Sequence, residues 1–456
     1  MEETNFEYVP EYAVPQKDSQ ILMFRDRYWH VSADGVEEHD LSSAPFNYWA
    51  RDRRSHNATR VGRLVKVEES DGRMSVDISD LGDRCDFLRF LVYTSWFDWD
   101  KHLDADRRPK PGVSPNPEHD EITLDLLSKM TAMGYLLHHY NNPAVAKAVI
   151  AMDEHISPVG ESQGRSGKSL FSVALDQMIE VVTIAGKDVH LTGDRFVFEQ
   201  VSSRTRVITI DDIEERFNFE LLFPSITSGV TVNGKGLKRF TLSGHEKPKF
   251  LITTNHAVLG TNGSTRDRQF KIAFSNFFDE NYKPEHAFGR LFFSEDWDED
   301  QWNLFYNLMA ECLEVYFLAQ KNHWGVAGSG LIEAPCDSLD KRLLRQMMTE
   351  GFYEWFVEYF QIDENNPLQV EGTRLLERLE RPVMFANYLE VLSPAEAKFI
   401  KAPKFRQRLL LACRYFGYAL NPQLPQTEKG EPIGMDKVGG VEFYTVGPRK
   451  SFDSGR

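Results

Sequence analysis

Cysteine is scarce in this chain. The four that occur, Cys85, Cys312, Cys336 and Cys413, are scattered, and none belongs to a CxxC pair. That spacing excludes a zinc ribbon and a dense disulfide framework, and it suits a reducing compartment. Long apolar runs are missing as well: nothing approaches the ~18 uninterrupted apolar residues of a membrane-crossing helix. The first twenty residues are acidic and polar and carry Pro10 and Pro15, which is unlike a signal peptide. The expectation is a cytoplasmic protein with no membrane contact. Positive charge is also in deficit, with 53 Lys and Arg against 69 Asp and Glu and a formal net charge of −16. An overall basic, DNA-coating protein is excluded. A nucleic-acid partner is not, because the local potential of a groove or channel governs such contacts rather than the total charge.

What remains is globular in composition: 456 residues, 41% hydrophobic and 12% aromatic, enough for about three domains. No internal repeat or low-complexity tract breaks it up. Residues 1–103 read as an N-terminal α+β region of open role, with strand-like runs at Ile21–Phe24, Arg63–Val67 and Met74–Ile78 and an aromatic-rich patch at Phe87–Trp99. Residues 104–120 carry Pro109, Pro111, Pro115 and Pro117, which interrupt helix and sheet alike, so they form a linker or an extended excursion. Residues 121–147 open on a helical spacing (Leu126, Met130, Met133, Leu137). From Ala148 to about Phe278 short apolar runs alternate with helical stretches, which predicts an α/β domain, bounded at residues 148–335. Its best strands are Ala148–Met152, Val207–Ile210 and Phe250–Thr253. A long amphipathic helix follows over Asp298–Gln320, and residues 336–456 form a last unit.

The strongest local motif is Gly160-Glu-Ser-Gln-Gly-Arg-Ser-Gly-Lys168-Ser169, set between the run ending at Met152 and a helix-like stretch, Leu170–Ile179. A strand, a Gly-rich turn and a helix opening in Gly-Lys-Ser is what a phosphate cradle requires. Glycines let main-chain N–H groups converge on phosphate oxygens, and the helix N-terminus adds its positive dipole. Here Gly164, Arg165, Ser166, Gly167, Lys168, Ser169 and Leu170 would hold a nucleotide. Lys168 would reach the terminal phosphates of ATP and Ser169 would ligate Mg²⁺. The loop is a variant, because Ser162 stands where the strict pattern has glycine.

Two more strand ends support that reading. Val207-Ile-Thr-Ile-Asp211-Asp212 is a buried-looking run ending in two carboxylates. We assign Asp211 to the metal and Asp212 to activation of the attacking water. Lys249-Phe-Leu-Ile-Thr-Thr-Asn255 ends in an amide able to hold that water or to sense the terminal phosphate. Each tip alone is an ordinary strand end. Their order, with Lys168, Asp211–Asp212 and Asn255 at near-equal intervals, fits the span of one ATPase core.

With those three motifs in hand, the stretch from Glu121 to Phe278 resembles the superfamily 3 helicases, most closely the helicase halves of poxvirus- and phage-type primase-helicases. The resemblance implies a central P-loop, AAA+-like ATPase domain and a ring, commonly a hexamer, that translocates on single-stranded DNA. It implies a β-hairpin between the second and third motifs whose lysine touches that strand. Residues 225–240 fit this element, with Asn233-Gly234 as a tight-turn dipeptide and Lys235, Lys238 and Arg239 nearby. It also implies an arginine reaching into the neighbouring protomer's ATP site. Arg266 and Arg268 both qualify, with Arg268 preferred. A separately encoded primase or polymerase would be a partner, and the location would be the host cell cytoplasm if the protein is phage-encoded.

In the last unit six cations and no acid lie between Lys398 and Arg414. Pro403 suits a first helical turn, and a hairpin-like pair of runs flanks Gly439-Gly440. Helices, a basic helix and a β wing are the layout of a winged-helix-like domain, in which Lys404, Arg406 and Arg408 would bind DNA. A solvated helix face on a protein-interaction module is the competing reading. His138-His139 is a poor metal site, since adjacent residues of a helix face different ways. The expected function is an ATP-dependent DNA helicase in replication of a phage, virus or mobile element. The alternatives are a P-loop ATPase acting as initiator or loader without processive unwinding and, further off, a nucleotide enzyme such as a kinase.

Overall fold

In the computed structural model the described residues are 14–153, 166–189, 196–214, 217–236, 238–255, 267–334, 344–345, 347–363, 366–367, 369–393, 397–427 and 431–448. The chain divides into two units, residues 1–336 and 337–456. The first unit opens with an antiparallel meander, β1 (Ser19–Met23), β2 (Arg27–Ser32) and β3 (Gly35–Asp40). A hairpin follows, β4 (Val65–Ser70) and β5 (Arg73–Ile78). Its two-residue turn, Asp71-Gly72, has φ of +53° and +77°, the mirror-image geometry that matches the strands' right-handed twist. The aromatic-rich patch after it is a helix, Asp86–Ser95, with Phe87, Leu88, Phe90 and Leu91 buried along it.

The Pro-rich stretch after that helix is an excursion pinned to the body. The Arg107 guanidinium lies over the Trp99 ring, bonds the Phe277 carbonyl and pairs with Asp279 at 2.7 Å. Two long helices, His119–Leu137 and Glu299–Lys321, then pack side by side. Gly134 permits their close approach, since a Cβ there would fall 2.3 Å from the Cys312 carbonyl oxygen. Leu126, Met130, Met133 and Leu137, the predicted helical stripe, are all buried. They share one core with Phe87, Val149, Ala151, Phe171 and Phe274, so this helical layer and the main sheet are joined by apolar packing.

That sheet has five parallel strands: β6 (Ala148–Asp153), β7 (Val181–Ala185), β8 (Val207–Asp211), β11 (Lys249–Thr254) and β12 (Gln269–Phe274). A short hairpin, β9 (Val230–Val232) and β10 (Phe240–Leu242), stands between β8 and β11 in the chain. The order across the sheet is β12-β6-β11-β8-β7. The α/β class predicted from the alternation is therefore present. The three strands named from sequence are buried almost throughout, which is why they read as apolar runs; β12 is nearly as buried but carries Gln269 and Lys271. The chain leaves β6 for the β7 edge and returns through β8 and β11 before crossing to β12. In such sheets, ligands bind outside the carboxyl ends of strands where the order reverses, which here is at β6.

The second unit packs the helices Glu350–Phe360, Arg381–Glu390 and Ala402–Phe416 around Phe352, Phe356, Tyr388, Phe405 and Leu409. Its strands are β13 (Leu379–Glu380), β14 (Tyr418–Leu420), β15 (Asp436–Val438), β16 (Val441–Tyr444) and β17 (Val446–Pro448). They pair as β13-β16-β15 and β14-β17. Gly439 and Gly440, at φ +59° and +87°, close the β15–β16 turn where the sequence placed it. No described helix is long and apolar enough to cross a membrane.

Candidate functional site

Three strand tips converge at the carboxyl edge of the sheet. Gly167 caps the Lys168–Asp176 helix in the left-handed region, at φ +98°. A side chain there would also run into the Phe90 ring, 2.6 Å away. The turn therefore has two reasons to be glycine. It delivers Lys168, only 8% exposed, back to the end of the strand that precedes it. Its ammonium meets the Asp153 carboxylate at 2.5 Å and donates to the Asn255 side-chain amide oxygen, Oδ1, at 2.8 Å. The Ser166 hydroxyl donates to the same Asp153 oxygen.

Asn255 continues the chain of contacts, its amide donating to the Asp212 carboxylate at 3.3 Å. The other oxygen of Asp212 pairs with Lys187 at 3.1 Å, and that contact raises the Lys187 ammonium above its ordinary value. Asp212 is held at φ +57°, a region that aspartate tolerates better than most residues. Thr253 fixes it there. The threonine hydroxyl accepts from the Asp212 main-chain N–H at 2.8 Å and donates to Asp211 Oδ1 at 2.6 Å. Beneath them the hydroxyls of Ser172 and Thr209 are 2.7 Å apart, joining the helix to β8.

The structure thus brings together Ser166, Gly167, Lys168, Asp211, Asp212 and Asn255. Ser169 is exposed at the second position of the helix and Leu170 follows it half-buried. Gly164, Arg165 and Arg266 lie outside the described residues. Two participants escape sequence reasoning, Asp153 and Thr253. Asp153 is recognisable in retrospect as an acid ending the strand that feeds the Gly-rich turn. Thr253 carries no signal, being one of two threonines in a buried run.

Arg268 lies elsewhere. It precedes β12 at the amino edge of the sheet, where its carbonyl accepts from Ala148 N–H at 2.8 Å. β12 runs in register from Gln269 beside Ala148 to Phe274 beside Asp153. At ~3.3 Å per residue, Arg268 is therefore roughly 17 Å or more from its own Lys168 pocket. Its guanidinium stacks on the Phe223 ring, 4.7 Å from the centroid. Phe223 begins the short helix Phe223–Thr227, which leads into the β9–β10 hairpin.

That hairpin occurs as expected, with its tight turn in a different place. Pairing stops at Val232 opposite Phe240, which leaves a seven-residue loop. Among the described residues of the loop the positive φ falls at Gly236, +74°, rather than on Asn233-Gly234. Asn233-Gly234 is therefore not a two-residue connection, because the strands have already parted beside it. Lys235, Lys238 and Arg239 are exposed.

In the second unit the basic helix is Ala402–Phe416, with Pro403 in its first turn. Lys404 is exposed and Arg406 half-buried, whereas Arg408 donates to the Tyr388 hydroxyl and Arg414 pairs with Glu431. Part of the positive run is thus spent within the unit. His138 is buried and bonds the Gln16 carbonyl through Nε2; burial and the nearby Lys249 push its imidazole down to about 3, so the ring is neutral. Among the described residues no cluster of three or more His, Cys, Asp and Glu side chains is placed to hold a metal.

The donor set at the carboxyl edge fits a metal–nucleotide complex. It supplies a buried cation, a helix N-terminus with an exposed hydroxyl, three carboxylates (Asp153, Asp211 and Asp212) and an amide. Mg²⁺ is commonly held by one or two carboxylates together with substrate phosphates.

No protein-family model matches the chain, and no curated protein matches it in sequence. Among solved structures, the A form apo structure of the NrS-1 C-terminal region aligns over 94% of this chain and 97% of that one, at 12% identity and a TM-score of 0.31. A second structure of that region aligns over 94% and 96%, at 13% identity and a TM-score of 0.31. Superposition at this level is too loose to assign the chain the fold of either.

Proposed function

We propose that this chain is an ATP-dependent DNA helicase of the superfamily 3 type, working as a ring on single-stranded or forked DNA in replication of a phage, virus or mobile element. The observation that carries the reading is the run of contacts Asp153–Lys168–Asn255–Asp212 across three neighbouring strand ends. Mg²⁺–ATP, when bound, supplies the phosphoanhydride whose hydrolysis drives movement. Lys168 would bind its terminal phosphates, while Ser169 and Asp211 would hold the metal. Asn255 and Asp212, bonded to each other, would orient the attacking water, and Thr253 holds Asp211 and Asp212 in place.

The position of Arg268 supports the multimeric part of the reading. It is too distant to serve its own pocket, so an arginine at this edge acts on a neighbouring protomer's nucleotide or not at all. The exposed cations of the β9–β10 loop, Lys235, Lys238 and Arg239, face DNA. In the second unit, the helix with Lys404, Arg406 and Arg408 followed by the β15–β16 hairpin is read as a winged-helix-like DNA-binding module.

Two assays run side by side test this: ATP hydrolysis, and displacement of a labelled strand from a forked duplex. Lys168→Ala is expected to lower hydrolysis by about 10³-fold or more, with strand displacement abolished alongside it. Hydrolysis near the wild-type rate in that variant overturns the site. Wild-type hydrolysis with no strand displacement favours the initiator or loader alternative.

A further inference from the structure

The second unit carries a feature that the basic-helix reading does not use. Phe399 is 79% exposed, the most exposed large apolar side chain among the described residues. Its neighbours explain why it cannot turn inward. Ile400, next in the chain, packs against the unit's core, and Phe405 is fully buried at the start of the following helix. Main-chain bonds hold the turn on either side of the interval, Ile400 N–H to the Ala397 carbonyl before it and Lys404 N–H to the Lys401 carbonyl within it. With Ile400 and Phe405 seated, the Phe399 ring is left in solvent on a held backbone.

The residues beside it and after it in the chain carry positive charge. Lys398, Lys401 and Lys404 are all exposed within a few residues of it. No acid occurs from Lys398 to Arg414, in a chain whose overall charge is −16. Arg414 is paired with Glu431, and Arg406 and Arg408 are half-buried, so the fully exposed cations of the segment, Lys398, Lys401 and Lys404, lie at its Phe399 end. An exposed aromatic set among lysines matches a polyanion that also offers flat π faces, and single-stranded nucleic acid is that chemistry.

We propose that Phe399, with Lys398, Lys401 and Lys404, is a single-strand contact in which the ring stacks on an unpaired base and the ammonium groups hold the flanking phosphates. The inference deepens the reading that the chain engages DNA and is independent of ATP hydrolysis. Stacking of one base on an aromatic side chain contributes ~1–3 kcal/mol, so Phe399→Ala should weaken binding of an oligothymidine to the full-length chain by about tenfold, measured by anisotropy. Phe399→Tyr should restore it. An oligonucleotide carrying 2-aminopurine should change in fluorescence on binding to the wild type and to the tyrosine variant, but not to the alanine variant. Replacing the three lysines by alanine should reduce the slope of log affinity against log salt by about 2, at ~0.7 for each phosphate no longer neutralised. Thermal midpoints should not move, since the ring lies in water.

Unchanged affinity and an unchanged 2-aminopurine signal in Phe399→Ala overturn the proposal. So does an alanine variant that binds DNA normally but no longer self-associates, which would make the patch a protein contact. A wild type that hydrolyses no ATP yet shows the expected DNA effects leaves this contact standing while the motor reading falls.

Discussion

The two edges of the parallel sheet each bury lysine, and they use it in opposite ways. At the carboxyl edge Lys168 is met by side chains, the Asp153 carboxylate and the Asn255 amide. At the amino edge Lys147, Lys247 and Lys249 are as deeply buried, and their ammonium groups donate to main-chain carbonyls. Lys147 reaches Asp267 and Gln269, Lys247 reaches Ile226 and Thr227, and Lys249 reaches Tyr135 and His138. A carbonyl in a strand or at a helix end cannot leave, so these three lysines act as fixed ties between elements. Side-chain acceptors can rotate and exchange partners, which a cation that handles substrate needs. Burial lowers the affinity of the amino-edge lysines for protons, most strongly for Lys249, where Lys247 and Arg206 add to the effect.

Exchanging the lysines is the most direct way to break that contrast. Lys168→Ala should remove about 10³-fold of turnover, far out of proportion to any change in thermal midpoint. Lys249→Met should do the reverse. It leaves two buried carbonyls without a donor, at ~1–3 kcal/mol each, and is partly offset by no longer burying an ammonium, so a net loss of about 2 kcal/mol is expected. Activity per folded molecule should be retained. A pH arm sharpens the comparison. Lys249 has a lowered folded-state pKa, so the unfolded chain binds more protons and stability rises as pH climbs toward the ordinary lysine value of 10.5. The difference in unfolding free energy between wild type and Lys249→Met should therefore grow in favour of the wild type up to that pH. A difference that stays flat from neutral to alkaline pH would show that the buried amine carries no such linkage.

The contrast also explains which parts are legible in sequence. β6, β8 and β11 stand out because they are buried almost throughout and read as apolar runs, and the motifs sit at their ends. The meander does not stand out as a sheet. β3, Gly-Val-Glu-Glu-His-Asp, is short and largely solvent-facing, so its charges mask the strand. Asp153 reads as the start of a loop, since its meaning emerges only when the Gly167 turn brings Lys168 back beside it. Lys249 reads as an ordinary strand start, and only the fold shows its tip among the carbonyls that close the His119–Leu137 helix. The hairpin turn is displaced from its expected position because Asn233-Gly234 is a strong local signal, yet the strands separate at Val232 and Gly236 takes the left-handed position.

Within the carboxyl edge, Thr253 tests whether the two acids beside it act in turnover or only hold the site together. Thr253→Val preserves the shape of a side chain in the buried β11 strand, but removes the hydroxyl that donates to Asp211 and accepts from the Asp212 N–H. A hydrogen bond to a charged group contributes ~1.5–3 kcal/mol, so kcat should fall by about tenfold. Lys168 and Asn255 are untouched, so the affinity for ATP should stay within about twofold of wild type. A matched loss of affinity would show that the threonine supports the binding of substrate rather than the aim of the acids.

The smallest effect belongs to the amino edge and tests whether its rigidity has a use. Lys247 ties the carbonyl end of the Phe223–Thr227 helix, and the ring at the other end of that helix carries the Arg268 guanidinium. Arginine has many rotamers, and a planar face beneath it selects among them. Phe223→Leu keeps an apolar side chain of similar size and removes the π face, forgoing ~0.5–1 kcal/mol of cation–π attraction. If Arg268 serves the pocket of a neighbouring protomer, steady-state hydrolysis by the assembled protein should fall about three- to fivefold with little change in KM, and Phe223→Tyr should restore it. A purely structural role would instead lower the thermal midpoint and leave turnover per folded molecule alone. Equal turnover in the leucine, tyrosine and wild-type proteins would mean that the stack positions nothing. The amino edge would then be a set of ties only, and the arginine that completes the pocket would have to be sought elsewhere in the chain.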